Sequence, residues 1–357
     1  MHVMFVAQGL HGGGAEVVVR RWAEQLIASG HNVDVVSTTE SVADVRLDPR
    51  IARFRMRRAG ILRRAGGLRR LIRDRAPDVV MAHLTRQNVL VLTAVLGLRG
   101  RVRPRVAIEE HSVLSVMAAG SFAGLGGRLL ARMLYPRADL VFAVSHAVGA
   151  DLLRYGVPRS RLRIVPNPLV ETGLAATGPS STQRRPPHVT LVLPIRLVPV
   201  KQPLHAIRAA RELMDRGVDV HLKFFGVGPL EEQLRAEAES QAIPCEFRGW
   251  VEDWPASCAE TDIVLLSSAV EGRPNVLIEA AAAGLRSVAP STALGVADAL
   301  VPGLTGELAL TDRPSDIADA VERAAQLAVP VESVGPWLRQ FETPASTQAL
   351  LAALRLD

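Results

Sequence analysis

Residues 267–284, SSAVEGRPNVLIEAAAAG, decide how the whole chain is read. Just ahead of them, Ile263-Val264-Leu265-Leu266 is an apolar run without alternation, the pattern of a parallel strand buried on both faces. A polar loop with Glu271, Gly272 and Pro274 follows. From Asn275 strong helix formers continue to Ala283, and Gly284 stops them. A strand, a glycine-containing loop and a helix start direct unbonded backbone N–H groups and the positive helix end to one place, where an anion is stabilised. Glu271 in the loop and Glu279 about one turn into the helix flank that place. Two carboxylates would repel a phosphate, so as ligands they suit hydroxyl groups, and a sugar nucleotide offers both kinds of partner. Taken alone, the same glutamates also fit a solvated loop and an exposed helix face.

The context narrows the choice. EGRPNVLIEA, with Glu271 and Glu279 separated by seven residues, resembles the signature of retaining, GT-B-fold glycosyltransferases of family four. That resemblance implies that Glu271 contacts the transferred sugar and Glu279 the nucleotide ribose, with Gly272, Arg273, Pro274, Asn275 and Val276 around the donor. Arg273 stands where an apolar or aromatic residue is common in the family, and Leu285-Arg286-Ser287-Val288 lacks the usual proline after the glycine.

The chain has 357 residues, enough for two domains that each bury a core. Hydrophobic residues at 48% and charged residues at 22% are globular values, and aromatics at 4% leave few stacking platforms for bases or sugar rings. Cys245 and Cys258 form no disulfide framework and have no metal-ligand spacing, which fits a reducing compartment. No secretory signal is read at the start, and the longest apolar run, 89–98, is shorter than the ~20 residues of a spanning helix. The expected location is cytoplasmic, with peripheral attachment to the inner face of the plasma membrane left open. A net charge of +6 points to an anionic partner.

That charge is concentrated in 53–75, where apolar residues from Ile61 follow helical spacing and arginines occupy the other face. Such a helix suits an anionic lipid surface, each arginine contributing on the order of 1 kcal/mol. It equally suits a crossover helix packed on a sheet with a solvated arginine face. Nucleic acid is not expected, since no aromatic residues interleave the charges.

The chain opens with a strand (2–7), a glycine-rich turn through Gly12, Gly13 and Gly14, a helix (17–29) and a second strand (33–38). This βαβ unit resembles a Rossmann unit, but its glycines lack the G-x-G-x-x-G spacing of dinucleotide binders. GGAE before the helix and the later GH-x-V-x-V-V also match the opening of the same glycosyltransferase family, in which this loop touches the donor phosphate. Two further strands, 77–83 and 106–111, end in His83 and His111. Ligands of open parallel sheets bind beyond such strand ends, although a lone histidine there is more often structural. The resemblance places His111 next to the reacting sugar and His83 on the acceptor side, with the small-residue loop 112–127 as an acceptor loop.

A Ser/Thr/Pro/Gly-rich stretch at 171–188 separates the halves. Past it, Arg196 and Lys201 follow a strand. On their own they are two surface cations. The surrounding PIRLVPVKQP is similar to the family's GRL-x-x-x-KG element, whose Arg and Lys clamp the donor pyrophosphate, with Ile195 and Gln202 in place of its glycines. Gly249 and Trp250 fall in the segment whose backbone reads the base, and Gly295 and Asp298 fall near a GG-x-x-E element.

The expectation is therefore an α/β chain of GT-B type, two Rossmann-like doubly wound domains facing across a cleft. The N-terminal domain is 1–170, completed by a C-terminal helix at 337–357. The linker is 171–188 and the donor-binding domain 189–336. The resemblance implies transfer of a hexosyl or N-acetylhexosaminyl group, with UDP as the family's commonest carrier, to an acceptor hydroxyl with retention, in cell-envelope or natural-product biosynthesis. His111, Arg196, Lys201 and Glu271 carry the chemistry; no cofactor and no metal are expected, and the acceptor is open between lipid-linked glycan, natural product and small sugar. A sugar-nucleotide epimerase and a silent basic membrane-surface protein are the rival readings.

Overall fold

The computed structural model describes residues 1–10, 14–39, 47–57, 59–116, 124–170, 188–327 and 331–355. The chain divides into two compact units, Met1–Leu169 with Phe341–Asp357, and Val170–Gln340.

In the first unit strands and helices alternate. They are β1 (His2–Ala7), α1 (Gly14–Ala28), β2 (Asn32–Ser37), β3 (Ala52–Arg55), α2 (Ile61–Arg75), β4 (Val79–His83), α3 (Thr85–Val95), β5 (Arg105–Glu110), α4 (Leu125–Leu134), β6 (Leu140–Ala143), α5 (His146–Arg154) and β7 (Leu162–Ile164). All neighbours pair in parallel, in the order β3-β2-β1-β4-β5-β6-β7. β1, β4 and β6 are apolar and buried almost end to end, as a sheet covered on both faces requires. The strand order reverses between β1 and β4, and a crevice for ligands opens beyond the carboxyl ends of strands at such a point.

β3 was not anticipated. It is a four-residue edge strand of alternating half-buried and exposed side chains, too short for its period to stand out among the surrounding arginines. The expected basic helix is present as α2, and several of its arginines are engaged with the fold itself. Arg75 makes a bidentate contact to buried Asp34, 2.9 Å for each bond, with its guanidinium 5.5 Å above the Phe54 ring. Arg69 donates to the Ala94 and Leu96 carbonyls, and Arg64 to the Thr38 carbonyl. Arg63, Arg70 and Arg73 are exposed. No helix among the described residues is long and apolar enough to cross a membrane.

The second unit repeats the plan with β8 (His188–Leu193), α6 (Pro203–Asp215), β9 (Asp219–Phe224), α7 (Glu231–Ser240), β10 (Cys245–Phe247), β11 (Ile263–Leu265), α8 (Asn275–Ala282), β12 (Arg286–Pro290), β13 (Gly306–Ala309), α9 (Pro314–Ala324) and α10 (Val331–Leu338). Its parallel sheet runs β10-β9-β8-β11-β12-β13, so the reversal falls between β8 and β11. Of the expected linker 171–188, residues 171–187 lie outside the described residues, and His188 is already in β8.

The last helix, α11 (Thr343–Arg355), belongs to the first unit. Leu350, Ala353 and Leu354 join the core formed by Val18, Trp22 and Leu26 of α1. The Trp22 indole N–H donates to Ser346 Oγ at 3.0 Å, and Arg105 donates to the Leu354 carbonyl at 2.6 Å. The expected single helix 337–357 is instead the end of α10, a break and α11, and Pro344 does not cause the break. It sits in the first turn of α11, where a missing N–H costs nothing, and the break falls at 339–342.

Candidate active site

In the second unit the two loops at the β8/β11 reversal are joined by one side-chain and one backbone hydrogen bond. Ser267 Oγ donates to the Lys201 carbonyl at 2.9 Å, and the Ala269 N–H donates to the Val200 carbonyl at 3.0 Å. This brings the Lys201 ammonium to 2.5 Å from Glu271 Oε1, with only 18% and 10% of the two side chains exposed. A charge-assisted bond in so dry a place is strong and positions both groups. Arg196 lies exposed in the same loop as Lys201. That loop is pinned by the turn after β9: the Leu197 N–H donates to the Val227 carbonyl, and a Cβ on Gly226 would lie 1.9 Å from the Ile195 carbonyl oxygen. The side chain of Ile195 is buried in the core. Gln202 keeps the backbone of the second missing glycine, adopting φ 44, ψ 48 in the left-handed region.

The central loop is held from the other side by 293–295. The Glu271 N–H donates to the Ala293 carbonyl and the Gly295 N–H to the Glu271 carbonyl, at 3.0 and 3.2 Å. A Cβ on Gly295 would stand 1.7 Å from the Gly272 carbonyl oxygen. Gly295 is therefore a supporting residue of the site, a weightier role than its sequence position suggested. Pro274 stands at the N-cap of α8 and offers no side-chain hydrogen bond to the first N–H groups of the helix. Gly272, Arg273 and Pro274 are buried, and Asn275 and Val276 half-buried. Glu279 Oε2 accepts the Trp254 indole N–H at 3.0 Å. Gly249 takes a positive φ of 68°, and Trp250 beside it is 53% exposed.

In the first unit Gly13 lies outside the described residues, as does 117–123 of the expected acceptor loop, and Gly14 begins α1. His83 closes β4 and His111 follows β5, and a residue the sequence reading passed over joins them. Glu109 Oε2 lies 2.5 Å from His83 Nδ1 and 2.9 Å from His111 Nε2. Burial works to raise the Glu109 pKa, but His111 and His83 outweigh it and hold the carboxyl at about 2. Burial also lowers the pKa of His83. An ionised carboxylate only accepts, so the ring nitrogen that each histidine turns to Glu109 is its donor. The three groups fall within 4.8 Å of one another, a set that offers metal ligands, yet their spacing is that of hydrogen bonds around one shared oxygen.

Glu110 next in the strand is also buried, which raises its pKa, and accepts from Tyr135 Oη and Thr85 Oγ1 at 2.7 and 2.9 Å. Leu84 after His83 has φ 73, strained for a leucine, of the kind that gathers at functional sites. The signal for this cluster was present: two consecutive glutamates at the end of an otherwise apolar strand cannot both be solvated.

Glu109→Gln is expected to lower turnover about tenfold, since an amide both donates and accepts and no longer selects the His111 tautomer. The same carboxyl has its folded pKa below the ordinary 4.5, so its contribution to stability is present above pH 4.5 and lost as the pH falls toward 2. Glu109→Gln is expected to flatten the fall in thermal midpoint over that window; an unchanged slope would contradict the assignment.

Two family models match in tandem, Glycosyltransferase Family 4 over residues 12–170 and Glycosyl transferases group 1 over residues 188–326. The chain belongs to the family-four, group 1 glycosyltransferases, and its fold is GT-B. It is 26% identical over 292 residues, 78% of this chain and 76% of the other, to a Campylobacter jejuni alpha-1,4-N-acetyl-D-galactosaminyltransferase named for a diNAcBac-PP-undecaprenol-linked glycan. Among solved structures it resembles Anabaena HepE in complex with UDP and glucose at TM-score 0.79 and 19% identity, covering 99% of each chain. The lipopolysaccharide outer core galactosyltransferase WaaB in its apo form superposes at TM-score 0.75 and 16% identity, again over 99% of each chain.

Proposed function

We propose that this glycosyltransferase moves a hexosyl or N-acetylhexosaminyl group from a UDP-sugar to an acceptor hydroxyl in envelope-glycan biosynthesis, with the anomeric configuration retained. The observation that carries the reading is the Lys201–Glu271 pair at 2.5 Å in the loop that leads into α8. Breaking the sugar–diphosphate bond accumulates negative charge on the leaving group, and preorganised positive groups there lower the barrier most. Arg196, Lys201 and the first N–H groups of α8 supply that charge, so the reading assigns no step to a metal. Glu271, oriented by Lys201, accepts from a sugar hydroxyl. The reading gives Glu271 no covalent role, and leaves Glu279, whose Oε2 accepts the Trp254 indole N–H, to the nucleotide ribose. Attack from the face the diphosphate leaves, with a diphosphate oxygen taking the acceptor proton, then gives retention. His111, held through Nε2 by Glu109, is assigned to the sugar side of the site. The relative named for a PP-undecaprenol-linked glycan and the HepE complex with UDP favour a UDP-linked donor and a glycan acceptor.

The test is proton NMR of the full chain with a panel of UDP-sugars, alone and with glycan acceptors. The expected product carries the donor's own anomeric configuration. An inverted product would overturn retention, and an isomerised sugar nucleotide without acceptor would replace transfer by epimerisation.

A further inference from the structure

Two turns carry the strand-end histidines of the first unit, and one carboxylate without a part in the reaction above is bonded at both. Glu110 ends β5 directly after Glu109, so the two side chains leave the strand on opposite faces. Glu110 is fully buried. Its Oε1 accepts the main-chain N–H of His111 at 3.1 Å, and its Oε2 accepts Thr85 Oγ1 and Tyr135 Oη at 2.9 and 2.7 Å. His111 is held twice, by its ring to Glu109 and by its peptide to Glu110.

The second turn follows His83. Thr85 opens α3 two residues after it, and Leu84 between them has φ 73, ψ 149. A leucine stays in that conformation only where its surroundings fix it. Here the Leu84 N–H donates to the Glu109 carbonyl at 3.2 Å, while Thr85 beside it is bonded to Glu110. Fully buried Asn88 ties the two strand ends together. Its N–H donates to the Leu84 carbonyl at 2.9 Å, and its Nδ2 to the Glu109 carbonyl at 2.8 Å and to Tyr135 Oη at 3.2 Å.

A carboxylate is a costly way to fill such a place. Its hydrogen-bond donors are two hydroxyls and a peptide N–H, and burial raises its pKa against those bonds. An apolar side chain of similar volume would avoid the desolvation. What it could not do is accept from two turns at once. We propose that Glu110 is a positioning residue of the transfer reaction: it accepts from the His111 N–H and from Thr85, and so fixes the main chain that presents His111 to the sugar. This rests on the reading above in one respect, that His111 serves the sugar side of the site. Glu110 acts through His111 and touches no substrate.

The test is a double-mutant cycle on the full chain, reading UDP release from the UDP-sugars and acceptors of the NMR panel. Glu110→Leu is expected to lower kcat about tenfold or more, with KM for the UDP-sugar within about twofold of the parent. In a His111→Ala background the same change should cost less than about twofold, since no histidine is left to misplace. Glu110→Gln keeps an acceptor for the His111 N–H in its amide oxygen and turns its NH2 to the Thr85 and Tyr135 hydroxyls, so it should stay within about threefold of the parent. Should Glu110→Leu not fold, Tyr135→Phe carries the same cycle with an expected loss of about threefold, again only with His111 in place. Calorimetric binding of UDP should keep the parent affinity in every variant. Losses from Glu110→Leu and His111→Ala that multiply in full, parent-level kcat in Glu110→Leu, or UDP affinity lost together with turnover would overturn the assignment. His111→Ala at the parent's kcat would instead remove His111 from the reading above, and Glu110 with it. A parent that releases no UDP would overturn both.

Discussion

Lys201→Met is expected to lower turnover about 100-fold, the size of effect seen when one preorganised donor is removed from a developing anion. The reason is double. Lys201 is a cation available to the departing diphosphate, and it also holds Glu271, whose Oε1 it meets at 2.5 Å in a site with 10% of the Glu271 side chain exposed. Removing the ammonium leaves that carboxylate poorly solvated and uncompensated. For fully buried pairs such a loss costs ~3–5 kcal/mol; here, with both partners touching water, about 2 kcal/mol is expected. The double variant Lys201→Met/Glu271→Gln separates the two effects. Neutralising both partners should return most of the stability, read by chemical denaturation, and none of the turnover. Parent-level turnover in Lys201→Met would remove the clamp from the account, whatever the stability showed.

Gly295→Ala is the second large effect, and it acts through the backbone alone. The new Cβ would sit 1.7 Å from the Gly272 carbonyl oxygen and 2.8 Å from that of Glu271, where real contacts stay beyond 3.0 Å. These are main-chain atoms with no rotamer to yield, so one of the two loops has to shift by more than about 1 Å. Misplacement on that scale costs about 100-fold in rate, and the overpacking adds about 1–3 kcal/mol of instability. Gly335→Ala is the matched control: it lies in α10 with nothing within 4 Å of the added carbon, and should leave turnover unchanged. Equal activity in both variants would show that the support from 293–295 is not needed by the site.

The site was legible in the sequence where local chemistry repeats along the chain, and hidden where it depends on strands meeting. β11, the loop and α8 follow from a run of apolar residues, a glycine-containing turn and helix formers in that order. His83 and His111 could be placed at strand ends because both strands are apolar up to the histidine. The residue that couples them could not be placed without the register: His83 stands opposite Glu109 across β4 and β5, 26 positions away in sequence. The same holds for Gly295, whose necessity comes from a carbonyl brought against it by packing. Glu279 was placed on spacing one turn into the helix, and no periodic pattern marks the Trp254 indole that its carboxylate accepts from. β3 escaped because four residues between arginine-rich flanks carry too little alternation to separate strand from loop.

The account depends most on a nucleoside diphosphate being held in the second unit by Arg196 and Lys201. Calorimetric titration of UDP into the parent, Arg196→Gln and Lys201→Met measures this directly. Binding is predicted in the parent and at least tenfold weaker binding in each variant, about 1.4 kcal/mol per charge removed. A parent that does not bind UDP, or variants that bind it as tightly as the parent, would contradict it.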